Sequence, residues 1–211
     1  CGWSYYNEHT VKPSDSGAFI LAYDLTSARR DGNQNLALTN IDNALHILAS
    51  NWIIALDGEI STYGQNAGDL RYGFFSKFNN ALLAGCWILH HAEQLSHTNQ
   101  IYPGAKAYGM VITHGRIAID QSRNASGATM DNAGHFLKGK LEETAGLVGR
   151  KSKDYAKSQL WLLEHDHFNV DRNTQVGLSE AQPYLDGTQT IMLSALDVDS
   201  VLKKKPMPWM V

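Results

Sequence analysis

The chain is poor in sulfur, has no long apolar run and carries no large excess of charge, and each shortage removes a class of protein. Its two cysteines, Cys1 and Cys86, cannot form the disulfide framework that staples small secreted domains, so a reducing compartment is favoured, although a Cys1–Cys86 bridge stays open. No apolar stretch approaches the roughly 18 residues that cross a bilayer, so no membrane span is expected and the expected localisation is cytoplasmic. A formal net charge of −3, with no basic face in the pattern, offers no electrostatic ground for nucleic-acid binding. The run Lys203-Lys204-Lys205 reads as a solvated tail. There is no repeat, low-complexity tract or linker, and residues 1–211 are expected to form a single domain.

What is present suits a packed core: hydrophobic residues make up 43% of the chain and charged residues 18%. Apolar stretches bounded by turn residues predict strands over residues 18–23, 52–56, 108–112, 117–120, 160–163 and 190–194. The third and fourth are expected to be joined by a tight hairpin at Thr113-His114-Gly115-Arg116, with Gly115 supplying a positive φ. Spacings of three and four at Leu38, Ile41, Leu45 and Leu48 predict a helix starting near Thr39 or Asn40. The same pattern at Leu70, Phe74, Phe78, Ala81, Leu82, Gly85 and Leu89 predicts a longer helix over 67–95. A third is expected over 132–148, and segments 58–66, 96–104 and 166–187 read as loops. Cys86 falls inside the long helix and reads as a small buried hydrophobe.

Cys1 carries a thiol and an α-amine on one carbon. The amine, with a pKa of roughly 7.7 to 8, can serve as general base for its own thiolate. Three readings are open: an N-terminal nucleophile, the acylated cysteine of a processed lipoprotein, or a trimmed end. A thiol attacking an amide also needs an oxyanion donor, and the turn Asp57-Gly58 after an apolar run is the place to look for a free backbone N–H. Other polar groups read more plainly. Glu164-His165-Asp166-His167 offers two ligands at i and i+2 but no third, so no metal is expected, and no cofactor. His90-His91 reads as a polar helix end. Ser122-Arg123-Asn124-Ala125-Ser126-Gly127 reads as a loop that contains a chance glycosylation sequon.

The order of features resembles the class II glutamine amidotransferases. The matching segments are Cys1-Gly2, Ser14-Asp15-Ser16-Gly17, Arg29-Arg30-Asp31-Gly32, Asp57-Gly58-Glu59-Ile60, Phe74-Phe75-Ser76-Lys77-Phe78-Asn79, the run from Gly104 to Ile112 and Leu178-Ser179-Glu180-Ala181. The resemblance implies an α+β fold, a four-layer αββα N-terminal-nucleophile sandwich of mostly antiparallel sheets. It implies an amidohydrolase in which Cys1 attacks an amide such as that of glutamine and Gly58 donates to the oxyanion beside Asp57. Arg29, Arg30, Ser76 and Asn79 would hold the substrate. A separate synthase subunit or a homo-oligomer would complete the system. Asp57 stands where that family has an oxyanion asparagine, and Asn79 where it has a substrate-binding aspartate. Those departures leave two alternatives: a decayed domain serving as a structural or binding subunit, and an envelope lipoprotein acylated on Cys1.

Overall fold

The computed structural model describes residues 17–25, 36–60, 70–98, 108–119, 125–148, 159–164 and 168–204. Along the chain these form β1 (Ala18–Asp24), α1 (Leu36–Ala55), β2 (Glu59–Ile60), β3 (Leu70–Phe75), α2 (Phe78–Thr98), β4 (Gly109–Gly115), β5 (Ala118–Ile119), β6 (Ala125–Ser126) and α3 (Ala128–Val148). They continue with β7 (Gln159–Leu163), α4 (Arg172–Gln175), β8 (Gln182–Asp186), β9 (Gln189–Leu196) and α5 (Val198–Lys204).

Seven strands make one sheet in the order β2-β3-β1-β4-β7-β9-β8, while β5 and β6 pair separately. Strand β1 runs antiparallel to both neighbours, with Leu21 opposite Gly73 on one side and Ile112 on the other. The unit β1-α1-β2-β3-α2-β4 is therefore a split βαβ arrangement, in which each helical crossover leaves room for one intervening strand. Among the described strands, only β4 and β7 pair in parallel, Ile112 lying opposite Leu162.

Strand alternation sorts the core into two layers. Leu21, Tyr23, Phe75, Met110, Ile112, Leu160 and Leu162 pack on the side covered by α1, α2 and α5. Ile20, Ala22, Tyr72, Phe74, Val111, Trp161 and Leu163 pack on the side covered by α3, against Met130, Ala133, Phe136 and Leu137. The architecture is thus helices, one sheet, helix. The expected four-layer sandwich is corrected here, because a single sheet carries both apolar faces and no second large sheet stacks on it among the described residues.

Several local expectations change for identifiable reasons. Residues 52–56 are the last turn of α1 and its exit rather than a strand: Trp52, Ile53 and Leu56 are buried at helical spacing while Ile54 is exposed. Residues 70–75 form β3 rather than the start of the long helix, and that helix begins at Phe78. Thr113 to Gly115 stay in β4, Gly115 pairing with Ala18, so there is no hairpin from β4 to β5. The expected loop over 166–187 contains α4 and β8. Cys86 is fully buried in the core.

Candidate functional site

Of the residues expected to act on an amide, Cys1, Arg29 and Arg30 lie outside the described residues. Asp57 and Gly58 close α1. Asp57 takes the left-handed conformation, φ 58°. Its N–H donates to Ile54 O at 3.2 Å, and the Gly58 N–H donates to Ile53 O at 2.8 Å. This pair of bonds is the Schellman closure of a helix, and it occupies the N–H expected to face an oxyanion. Glycine is required at 58 by space: a Cβ there would lie 2.4 Å from the ring of Phe75. Ser76 and Asn79 are exposed on the turn from β3 into α2, at the same end of the sheet as Gly58.

A different carboxylate stands out once the sheet is assembled. Asp24 ends β1 and is only 6% exposed. It follows a strand that is almost wholly buried, so both flanks of β1 are occupied by backbone pairing and both faces by packing. Such a position holds a side chain still at the rim of a sheet, where a ligand can reach it. Cross-strand from Asp24 is Leu70, the first residue of β3. In the sequence Leu70 is preceded by Gly68-Asp69, which lie outside the described residues. Beside Asp24, Tyr23 points into the α1–α2 layer, and burial raises its phenol above the ordinary value of 10, against the opposing pull of the Arg71 charge. Its O–H therefore keeps its proton at neutral pH. The Arg71 guanidinium is tied in turn to the carbonyl of Leu70 at 2.9 Å. Asp24 is itself engaged by its surroundings, which restrains the carboxylate as well as the strand. The signal for this site in the sequence is a single charged residue at the end of an otherwise apolar strand.

Among the described residues, no group of three histidine, cysteine or acidic side chains converges as a ready metal cage. Nor is any helix among them long and apolar enough to cross a membrane.

No protein-family model and no curated protein matches the sequence. Solved structures do match the fold. The guanylyl cyclase Cya2 superposes with a TM-score of 0.56 at 12% identity, over 85% of this chain and 91% of that one. The adenylate/guanylate cyclase/hydrolase from Silicibacter pomeroyi gives 0.56 at 16% identity, over 85% of this chain and 95% of the other. Adenylyl cyclase CyaB from P. aeruginosa gives 0.52 at 10% identity, over 86% and 94%. At such identities the likeness is one of fold, and the fold is that of adenylyl and guanylyl cyclase domains. It replaces the amidotransferase assignment: the N-terminal-nucleophile sandwich, the amidohydrolase activity, the glutamine-like substrate and the synthase partner were all implied by the motif resemblance, whereas the described residues form one large sheet in a fold shared with cyclase domains. The decayed amidotransferase domain and the acylated lipoprotein find no support either.

Proposed function

We propose that this chain is a nucleotide cyclase domain that acts on a purine nucleoside triphosphate through Asp24. In such a reaction the ribose 3′-oxygen bonds to the α-phosphorus, the bond from that phosphorus to the bridging oxygen of the β-phosphate breaks, and pyrophosphate leaves with the electron pair. The hydroxyl gives up its proton in the process. The observation that carries the reading is the buried carboxylate at the end of the central strand, in a fold shared with solved adenylyl and guanylyl cyclases.

A carboxylate repels a triphosphate unless a cation lies between them. Carboxylate oxygens are hard donors suited to magnesium or manganese, so the chemistry of Asp24 fits a divalent ion as one of its ligands. The remaining ligands would come from outside the described residues or from the substrate and water, and Asp69, next in sequence to the cross-strand partner of Asp24, has the matching chemistry. Such an ion, when bound, neutralises charge on the phosphates and polarises the α-phosphoryl group. The chain's own part is to hold Asp24 rigidly, through β1 pairing and the Tyr23 and Leu25 side chains buried on either side of it.

The test is direct. Incubating the protein with ATP or GTP and magnesium or manganese yields a cyclic nucleotide and pyrophosphate, resolved by chromatography and mass. Asp24→Asn lowers the rate by roughly 10²-fold or more, the scale of several kcal/mol of charge stabilisation. Absence of cyclic product from both nucleotides, with either metal, would remove the reading.

A further inference from the structure

Helix α1 shows solvent no carboxylate, lysine or arginine where its side chains are described. Its one acidic residue, Asp42, is only 5% exposed, while the other long helices present Glu93 on α2 and Asp131 and Lys138 on α3. Leu45, Ala49, Trp52, Ile53 and Leu56 turn one flank of α1 into the core. The opposite flank carries Ala44, Ile47, Asn51, Ile54 and Ala55, and all five are exposed, Ile47 at 63%. A helix without charge on either flank ordinarily has cover on both.

The outer flank has an order of its own. Ala44, Ile47, Asn51 and Ile54 follow one another at spacings of three, four and three, the a and d positions of a heptad, and Ala55 lies beside them. The run covers about three turns, or about 16 Å, which suits one short helix-on-helix contact rather than a long coiled coil. Leu48, half-buried and one turn from both Ala44 and Trp52, carries the apolar surface on toward Trp87, which stacks on Trp52 at 5.6 Å. The other large apolar side chains exposed among the described residues, Val176, Leu185 and Met192, lie beyond α4 and on the β8–β9 hairpin.

Asn51, in the middle of the seam, decides what can cover it. An apolar partner helix would strip water from the carboxamide and return no hydrogen bond. A second copy supplies the missing group. A twofold axis beside Asn51 sets two carboxamides against each other, each with a donor and an acceptor for its mate, and leaves Ile47 and Ile54 to pack on either side. We infer that α1 packs along this seam on α1 of a second copy of the chain. An antiparallel arrangement opposes the helix dipoles and holds the two exposed Asp57 carboxylates at opposite ends of the pair, so copies with a net charge of −3 meet where neither presents charge. The seam measures about 16 Å by about 10 Å, and with Leu48 and Trp87 it offers a few hundred Å² per copy, below the roughly 800 Å² of a standard interface. The pairing is therefore weak, with a dissociation constant on the order of 100 µM. It involves no part of the Asp24 site and does not rest on the cyclase reading.

Sedimentation equilibrium of the whole chain, from about 10 µM to about 1 mM, reads the pairing directly as a monomer–dimer equilibrium. Ile47→Glu, at a side chain that meets solvent in the monomer, buries an unpaired carboxylate from each copy and raises the dissociation constant about 10-fold or more. Asn51→Asp sets two like charges beside the axis and weakens the dimer to a similar extent. Both variants are expected to unfold thermally like the parent at low concentration, which shows that the loss is one of association. Leu185→Glu, at an exposed apolar residue of the hairpin, leaves the dimer unchanged. A chain that stays monomeric at about 1 mM, leaving the seam to a different protein, overturns the assignment. So does a dimer that either Ile47→Glu or Asn51→Asp fails to weaken, or one that Leu185→Glu weakens as much.

Discussion

The two faces of the sheet are covered unequally. On one, α1, α2 and α5 close over Leu21, Phe75 and Ile112 and leave a continuous apolar core. On the other, α3 is the one described helix that covers Ile20, Phe74 and Val111, and a cavity of about 530 Å³ lies between its first turns and the β8–β9 hairpin. Packing is what stabilises the first face; the second combines packing with room for a ligand. Where helical cover is thin, polar side chains such as Thr113, His114 and Asn132 border open space at the sheet end.

The contrast can be broken most strongly in β1, where neighbouring residues report on opposite faces. Leu21 and Ile20 are both fully buried. Leu21→Ala, under three helices, is expected to cost about 3–5 kcal/mol, the upper part of the range for a site that cannot collapse. Ile20→Ala, beside Thr113 of the cavity wall through the pairing of Ile20 with Thr113, is expected to cost about 1 kcal/mol less. Chemical denaturation of the two variants checks the order, and equal losses would show that both faces are packed alike.

A smaller effect sharpens how closely α3 sits on the sheet. A Cβ at Gly134 would lie 2.3 Å from the Tyr72 hydroxyl. Gly134→Ala is therefore expected to destabilise by about 1–3 kcal/mol of overpacking, offset in part by about 1 kcal/mol of helix propensity. In a Tyr72→Phe background the clash goes and the same change becomes neutral or stabilising. The double-mutant cycle, read by thermal or urea unfolding, isolates the contact.

The mildest comparison sets one histidine against another. On the closed face, His91 stacks on Trp52 and Trp87, each with ring centroids 5.6 Å away. Burial lowers its pKa below 6.5, with His90 adding to the effect and a hydrogen bond with Gln94 opposing it. At the cavity, burial alone lowers that of His114. For both, the unfolded chain binds more protons just below pH 6.5, so stability is complete above that value and falls as the pH drops through it. His91→Gln and His114→Gln are each expected to flatten part of this slope.

Several secondary-structure elements were legible along the chain, although the layering was not. Strands β1, β4, β7 and β9 and the helices α1 and α3 follow from apolar runs and from spacings of three and four, and Cys86 behaves as the hydrophobe its surroundings predict. The errors fall where one pattern permits two periods. Leu70, Phe74 and Phe78 are four apart and suit a helix, yet Leu70 to Phe75 pair with β1 in register, because the central strand needs a partner on each edge and Gly73 admits the side chain of Ile53, 2.9 Å from where its Cβ would be. Short apolar runs cannot distinguish these cases by themselves. The site was less legible still. Asp57-Gly58 carries the composition of a catalytic turn but serves as a helix cap, whereas Asp24 gave no motif at all.

Local chemistry decided, from the sequence by itself, which stretches of this protein bury apolar surface, where α1 and α3 run, and that no long apolar span is present, because period and composition act over a few residues. Tertiary structure alone decided that one sheet lies between unequal helical layers, that Asp24 is held at one end of it, and that Thr113, His114, Asn132 and Glu164 meet at the other. Those residues are far apart in the chain, and only strand order and register, set by long-range pairing, bring them together.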